Sequence, residues 1–215
     1  MRTRFAENLD SLSGDLASMC RLSVTAMSEA SDALLQADLE LAEHVIDVSG
    51  ELDDAAAHWE KRAFALLALQ APVAHDLRFM VGGLHISADL HRMGGLAVHI
   101  AKIARRRHPD HVVPDEVLGV FTEMGAVAVA QAKETEQVLQ HRDPERARGL
   151  LTADEAMDDL HRSLFTITQA EDWPHGVQSA VDITLLGRFY ERFCDHTVEI
   201  GRRVIFLETG SLPEQ

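Results

Sequence analysis

Long runs of helical periodicity dominate this sequence and leave little room for any fold other than an all-α one. Apolar residues recur at spacings of three to five positions, the period of a helix that buries one face. A half-buried strand would instead alternate at every second residue, and we find no convincing strand. The runs cover residues 5–35, 39–70, 73–107, 115–140, 144–170 and 177–208.

Few segments interrupt these runs, and each carries residues typical of turns. Pro72 lacks the backbone N–H that a helix interior needs. Residues 108–114 contain two prolines and form the best linker of the chain, while residues 172–176 form a second loop. Between them, Asp143 is placed to cap a helix that begins at Pro144. The sequence therefore predicts six long helices.

An internal repeat divides these helices into two similar halves. Residues 88–100 align with 188–200 at an offset of 100, and residues 52–54 align with 157–159 at an offset of 105. Each half then has the same plan of three helices. We predict two similar three-helix bundles, one over residues 1–108 and the other over 114–215.

The charge balance excludes several classes of partner. The net charge is −15, whereas nucleic acids and anionic lipid surfaces call for a basic face. No run approaches the length of a membrane span, and no signal peptide is recognisable, so we expect a cytoplasmic protein without membrane insertion. Cys20 and Cys194 lack metal-type spacing and are predicted to be small buried hydrophobic residues.

Two pairs of carboxylates in the second half have the spacing of one helical turn. Glu191 and Asp195 form one pair in the sixth run, and Asp154 and Asp158 form the other in the fifth. If neighbouring antiparallel helices bring the pairs together, their oxygens suit a hard cation such as Mg²⁺, Mn²⁺, Ca²⁺ or Fe³⁺. The alternative is a solvated acidic face in which Glu191 pairs with Arg188 or Arg192.

The matching positions of the first half are poorer in carboxylates. They are Ser49, Asp53, His91 and Gly95, which leave one acid and one imidazole. A ferritin-like metalloenzyme would need Glu-x-x-His, but the residues three after Asp154 and Glu191 are Met157 and Cys194. No nucleophile–base constellation is evident, so a helical interaction protein without any ligand is a third alternative.

Three segments together resemble the PhoU family of phosphate-uptake regulators. They are the residues LQAPVAHDLR at 69–78, DLHRMG at 89–94 and ERFCDH at 191–196. The resemblance covers nearly the whole chain and implies two three-helix bundles in a cytoplasmic negative regulator that is not an enzyme. It implies contacts with the ATPase subunit of the phosphate ABC transporter and with a phosphate-sensing histidine kinase. We also expect a homodimer.

The resemblance further implies metal binding through E/D-x-x-x-D motifs, one set per bundle. Asp154, Asp158, Glu191 and Asp195 complete the second set, and iron, manganese or magnesium is the expected ion. In the first set Ser49, His91 and Gly95 replace carboxylates. There we expect at most a single, weaker ion.

The residues expected to hold that weaker ion are Asp53, Asp89 and His91. Asp76 and Arg78 match another element of the family, to which we assign a structural role as a cap or an ion pair. The three arginines 105–107 are interpreted as a C-terminal helix cap rather than a docking patch.

Overall fold

The structure is a computed structural model that describes residues 2–211, and this part of the chain contains eight α-helices and no strand. The helices are α1 (Arg2–Gln36), α2 (Leu39–Asp47), α3 (Ser49–Gln70), α4 (Ala74–Arg107), α5 (Asp115–His141), α6 (Pro144–Thr152), α7 (Glu155–Thr168) and α8 (Gly176–Thr209). None of them is long and apolar enough to cross a membrane. The all-α prediction is confirmed.

Two of the six predicted helices are broken in the middle. At Val48 the second run divides into α2 and α3, where the Ser49 hydroxyl donates to the Ile46 carbonyl over 2.8 Å. At Ala153 the fifth run divides into α6 and α7, and the Ala153 N–H turns back to the Leu150 carbonyl. Hydrogen bonds between residues three apart make a tighter turn than those of an α-helix, and here they coincide with the ends of α2 and α6.

The two halves repeat each other in backbone detail. The turns before α2 and α6 each contain one left-handed residue, Ala37 with φ 52° and Arg142 with φ 51°. Next comes an aspartate whose side chain caps the helix: Asp38 accepts from Leu41 N and Asp143 from Glu145 N and Arg146 N. These equivalences keep the offset of 105 seen in the sequence, and they confirm the predicted cap at Asp143.

The halves pack closely on one another through the four long helices. Besides contacts within each half, α1 packs against α5 and α4 packs against α8. Buried apolar side chains form one continuous core across both halves. In the linker, Val112 and Val113 are buried as well. The domain limits at residues 108 and 114 stay a prediction, since the core runs past them without a gap.

Buried aspartates hold α4 and α8 together at two places along their antiparallel contact. Asp89 of α4 lies within 3.2 Å of Arg203 Nε on α8. Asp182 of α8 accepts from Arg106 and Arg107 of α4, at 2.9 Å from each donor. The arginines 105–107 thus include two partners of a buried carboxylate, and their interpretation as a simple helix cap is incomplete.

Candidate metal site

The four carboxylates of the second half lie on the packed pair α7 and α8. Asp154 is the residue before α7, with the helical angles φ −78° and ψ −23°, and its carbonyl accepts from Asp158 N at 3.0 Å. The break at Ala153 therefore leaves the two aspartates one turn apart, as predicted. Glu191 and Asp195 are one turn apart on α8. Asp154 and Glu191 are half-buried, while Asp158 and Asp195 are exposed.

The charges of the other three carboxylates act on Asp154. Partial burial raises the pKa of Asp154 first, and the charges of Asp195, Asp158 and Glu191 raise it further, to about 6. Arg202 acts in the opposite direction. The Oδ1 atom of Asp154 is buried and has no hydrogen-bond partner. An orphaned carboxylate oxygen among like charges is a place where a cation would stabilise the folded state.

Glu191 already has basic neighbours on two sides. Arg188 forms an ion pair with its Oε2, one turn earlier on α8. On the other side His161 Nδ1 of α7 is 3.9 Å from Oε1. The pair with Arg188 was the alternative considered for this residue, and the structure contains it. The side chains of Glu191 and His161 are both 14% exposed, so neither is simply solvated.

Cys194 is fully buried beneath these groups. Burial raises the pKa of its thiol well above the ordinary value, and the charges of Asp154, Asp195, Glu191 and Asp158 add to the effect. A thiol in such surroundings stays protonated and is a poor metal ligand. Cys20 is buried too, and both cysteines are free, which confirms their prediction as small buried hydrophobic residues.

The donor chemistry of the four carboxylates fits a hard cation, but their present arrangement does not yet form a coordination shell. Oxygen ligands suit magnesium, manganese and iron. As the side chains lie, no group of three or more His, Cys, Asp or Glu residues in the described part of the chain could hold a metal ion. To bind one, Glu191 would have to exchange Arg188 for the cation. The residue types therefore suit such an ion, whereas the side-chain positions of this structure do not bring them around one point.

The sequence interpretation missed His161 as a member of this cluster. Its Nε2 is buried without a hydrogen-bond partner. The sequence contains a signal for it, because His161 follows Asp158 at the carboxylate-x-x-His spacing, which Asp154 and Glu191 lack. By contrast, His196 faces away from the cluster and bonds Asp89 through Nδ1 at 3.1 Å.

In the first half, the structure brings together only two of the three expected residues. His91 Nε2 lies 2.8 Å from Asp53 Oδ1. Asp89 does not join them, since it is 3% exposed and its oxygens are engaged by His196 and Arg203 of α8. Asp89 is two residues before His91 on α4, so the two side chains point to different sides of the helix, and that of Asp89 faces the other half. The first half thus brings together two of the three residues that were expected to hold the weaker ion.

Arg78 serves the fold by capping a helix of the other half. Its Nε donates to the Leu207 carbonyl in the last turn of α8 over 3.1 Å, and its guanidinium lies over the Phe206 ring. Asp76 is in the first turn of α4, where an acid is favourable.

Comparison with known proteins finds relatives that match nearly the whole length of this chain. The PhoU domain family matches twice, over residues 16–104 and 121–204, once in each half. The Mycobacterium tuberculosis protein named phosphate-specific transport system accessory protein PhoU homolog 2 is 54% identical over 213 residues, which cover 99% of this chain and all of that protein. Homolog 1 of the same strain is 50% identical and covers all of this chain and 97% of its own length.

A solved structure has the same fold. The crystal structure of the phosphate transport system regulatory protein PhoU from Streptococcus pneumoniae superposes with a TM-score of 0.88 and 24% identity, over 98% of this chain and all of that one. The fold, the twofold match to the domain and the mycobacterial relatives agree with one another. The chain belongs to the PhoU family.

Proposed function

We propose that this protein is a negative regulator of phosphate uptake and of phosphate-starvation signalling. The observation that carries the proposal is the end-to-end match, at 54% identity, to proteins named as accessory to the phosphate-specific transport system. The match covers 99% of this chain and all of that protein, so it includes both halves. The protein acts as an adaptor rather than an enzyme, and it works in the cytoplasm, where it meets the inner face of the transporter.

Two partners follow from this role. One is the ATPase subunit of the phosphate ABC transporter, and the other is the phosphate-sensing histidine kinase. The apolar side chains of Leu77 and Val81 on α4, and of Val177 and Val181 on α8, are all more than 40% exposed. They recur at the offset of 100, so each half presents the same kind of surface to a partner. A homodimer is part of the proposal, and light scattering of the purified protein tests it.

The proposal includes a multivalent cation on the carboxylates of the second half. Asp154, Asp158, Glu191 and Asp195 are the ligands, and iron, manganese or magnesium is the ion. The support is the pKa of Asp154, raised to about 6 by burial and by the three other carboxylates, together with its unpartnered Oδ1 atom. The ion would neutralise these like charges and fix the N-terminus of α7 against α8.

Deletion of the gene in the parent bacterium tests the regulatory role. We expect phosphate-starvation genes to be expressed in phosphate-rich medium, and a plasmid copy of the wild type to silence them. Because one mycobacterial strain has two relatives of this kind, any second copy is deleted in the same strain. Unchanged expression after removal of all copies contradicts the proposal.

A pull-down tests the adaptor function separately. The cytoplasmic part of the kinase and the transporter ATPase are each immobilised and offered the purified protein, with and without added Mn²⁺. Retention on both supports the proposal. If the protein is folded by circular dichroism and is retained on neither partner, the adaptor function is excluded. Any effect on gene expression then needs another explanation.

A further inference from the structure

A cleft opens in the first half at the place where the second half carries its carboxylates. It has a volume of about 380 Å³ and lies between α1, α2, α3 and α4. Its walls are largely apolar and include Leu22, Val45, Leu52 and Val98. The volume falls in the range of roughly 300–1,000 Å³ that is typical of small-molecule sites.

Small residues create this cleft. Ser49 and Gly95 line it, and they occupy the positions that Asp154 and Asp195 hold in the second half. A Cβ atom added at Gly95 would meet nothing within 4 Å. These two small residues therefore leave open space where the second half has two acidic side chains.

The cleft has an excess of negative charge. Glu29, Glu51 and Asp53 line it against a single ammonium, that of Lys102. The Oε2 atom of Glu29 is buried and has no hydrogen-bond partner, and His44 Nε2 lies 3.8 Å from it. An unpaired carboxylate oxygen shielded from water costs free energy that a cationic partner would recover.

A metal ion fits these residues poorly. Asp53 is engaged with His91, and no three His, Cys, Asp or Glu side chains of the described residues converge on one point. Much of the remaining lining is hydrocarbon, which contributes nothing to a hydrated divalent cation. A ligand that combines one positive charge with an apolar body satisfies both features.

We propose that this cleft binds a small amphipathic organic cation. Its ammonium or guanidinium group donates to Glu29, and its apolar body lies among Leu22, Leu52 and Val98. This site is separate from the metal site of the second half, and it goes beyond the regulatory function proposed above.

Calorimetric titration of the full-length protein with a matched series of probes tests the proposal. The probes are phenethylamine, tryptamine and cyclohexylmethylamine, and the neutral controls are the corresponding alcohols. We expect saturable binding of at least one amine with one site per chain, and binding of its alcohol at least about tenfold weaker, because a charge-assisted hydrogen bond is lost.

Two variants locate the bound probe. Glu29→Gln keeps the shape of the side chain and should weaken amine binding about tenfold or more. Gly95→Leu fills the cleft and should abolish binding, and since leucine favours a helix over glycine, loss of folding would not explain that result. Asp159→Asn, at an exposed aspartate of the second half, is the matched control and should bind the amine as the wild type does.

Four outcomes overturn the proposal. The first is the absence of saturable binding for all three amines, and the second is equal binding of amine and alcohol. The third is unchanged amine binding in both Glu29→Gln and Gly95→Leu. Binding of Mn²⁺ or Zn²⁺ that disappears in Glu29→Gln would assign the cleft to a metal instead and would equally overturn it.

Discussion

The imidazole of His161 lies beside the carboxylate of Glu191, with 3.9 Å between Nδ1 and Oε1. This contact joins α7 to α8 at the centre of the acidic cluster and adds a nitrogen donor to a site otherwise made of oxygens. Imidazole suits zinc and cobalt better than magnesium. The kind of ion that the proposed site would prefer therefore depends on whether His161 takes part.

His161→Ala separates these possibilities. If His161 is a ligand, the affinity for Co²⁺ falls about tenfold while that for Mg²⁺ changes about twofold or less, because Mg²⁺ prefers oxygen. Titration followed by the visible Co²⁺ spectrum and by calorimetry measures both. His141→Ala, on the exposed end of α5, is the control and should change neither. Equal losses for the two ions would exclude His161 as a selective ligand.

Asp154 should make the stability of the metal-free protein depend on pH. Its folded pKa of about 6 lies above the ordinary value of 3.8, so the folded chain holds this proton more tightly than the unfolded one. Below about pH 4, Asp154 does not lower the free energy of unfolding, because it is protonated in both states. Its destabilising effect grows between pH 4 and 6 and is complete above pH 6.

Asp154→Asn removes this penalty. In EDTA at pH 7.5 the variant should be more stable than the wild type by about 1 kcal/mol, a value reduced for the partial exposure of the side chain. Thermal unfolding from pH 4 to 8 should show the gain vanish at the acid end. Asp159→Asn, exposed on the same helix, is the control. A gain that is constant over the whole range contradicts this origin.

Buried Asp182 should matter far more than an exposed aspartate with a similar partner. Its side chain is 6% exposed and holds Arg106 and Arg107, so Asp182→Ala leaves two cations without their carboxylate. We expect a loss of about 2–4 kcal/mol in the free energy of unfolding. Asp159→Ala, whose side chain is 75% exposed beside Arg162, should cost less than about 0.5 kcal/mol. Urea unfolding compares the two, and similar losses would contradict the importance of the α4–α8 contact.

Gly83 allows the close approach of α4 to Trp59. An added Cβ would lie 2.4 Å from the Trp59 ring, which is fully buried and donates from Nε1 to the Leu12 carbonyl at 2.9 Å. We expect Gly83→Ala to destabilise the fold by about 1–3 kcal/mol. Gly14→Ala has open space in α1 and should instead stabilise it by about 0.5–1 kcal/mol. Stabilisation by both would show that Trp59 moves aside freely.

Periodicity and caps predicted the helices because these features are local. The stripe of α4 and the cap at Asp143 need only a few neighbouring residues to be recognised. The breaks at Val48 and Ala153 were missed, because neither position has a proline or a left-handed residue to signal them. They depend on how α2 and α6 pack against the rest of the fold.

Spacing also identified which carboxylates share a helix face but not which partners face them across the fold. Glu191 and Asp195 are one turn apart whatever surrounds them. Asp89 lies only two residues before His91, yet its carboxylate is bound by Arg203 of the other half. The packing of α4 on α8 decides which partner Asp89 has, and the sequence of α4 alone does not indicate that partner.

The content of bound metal tests the central claim most directly. Protein purified without chelator is analysed by mass spectrometry for iron, manganese and magnesium. The samples are the wild type, Glu191→Ala/Asp195→Ala in the second half, and Asp53→Ala/His91→Ala in the first. We predict metal in the wild type and in the first-half variant, and its loss from the second-half variant. Equal, negligible metal in all three proteins, or a loss confined to the first-half variant, would contradict the account.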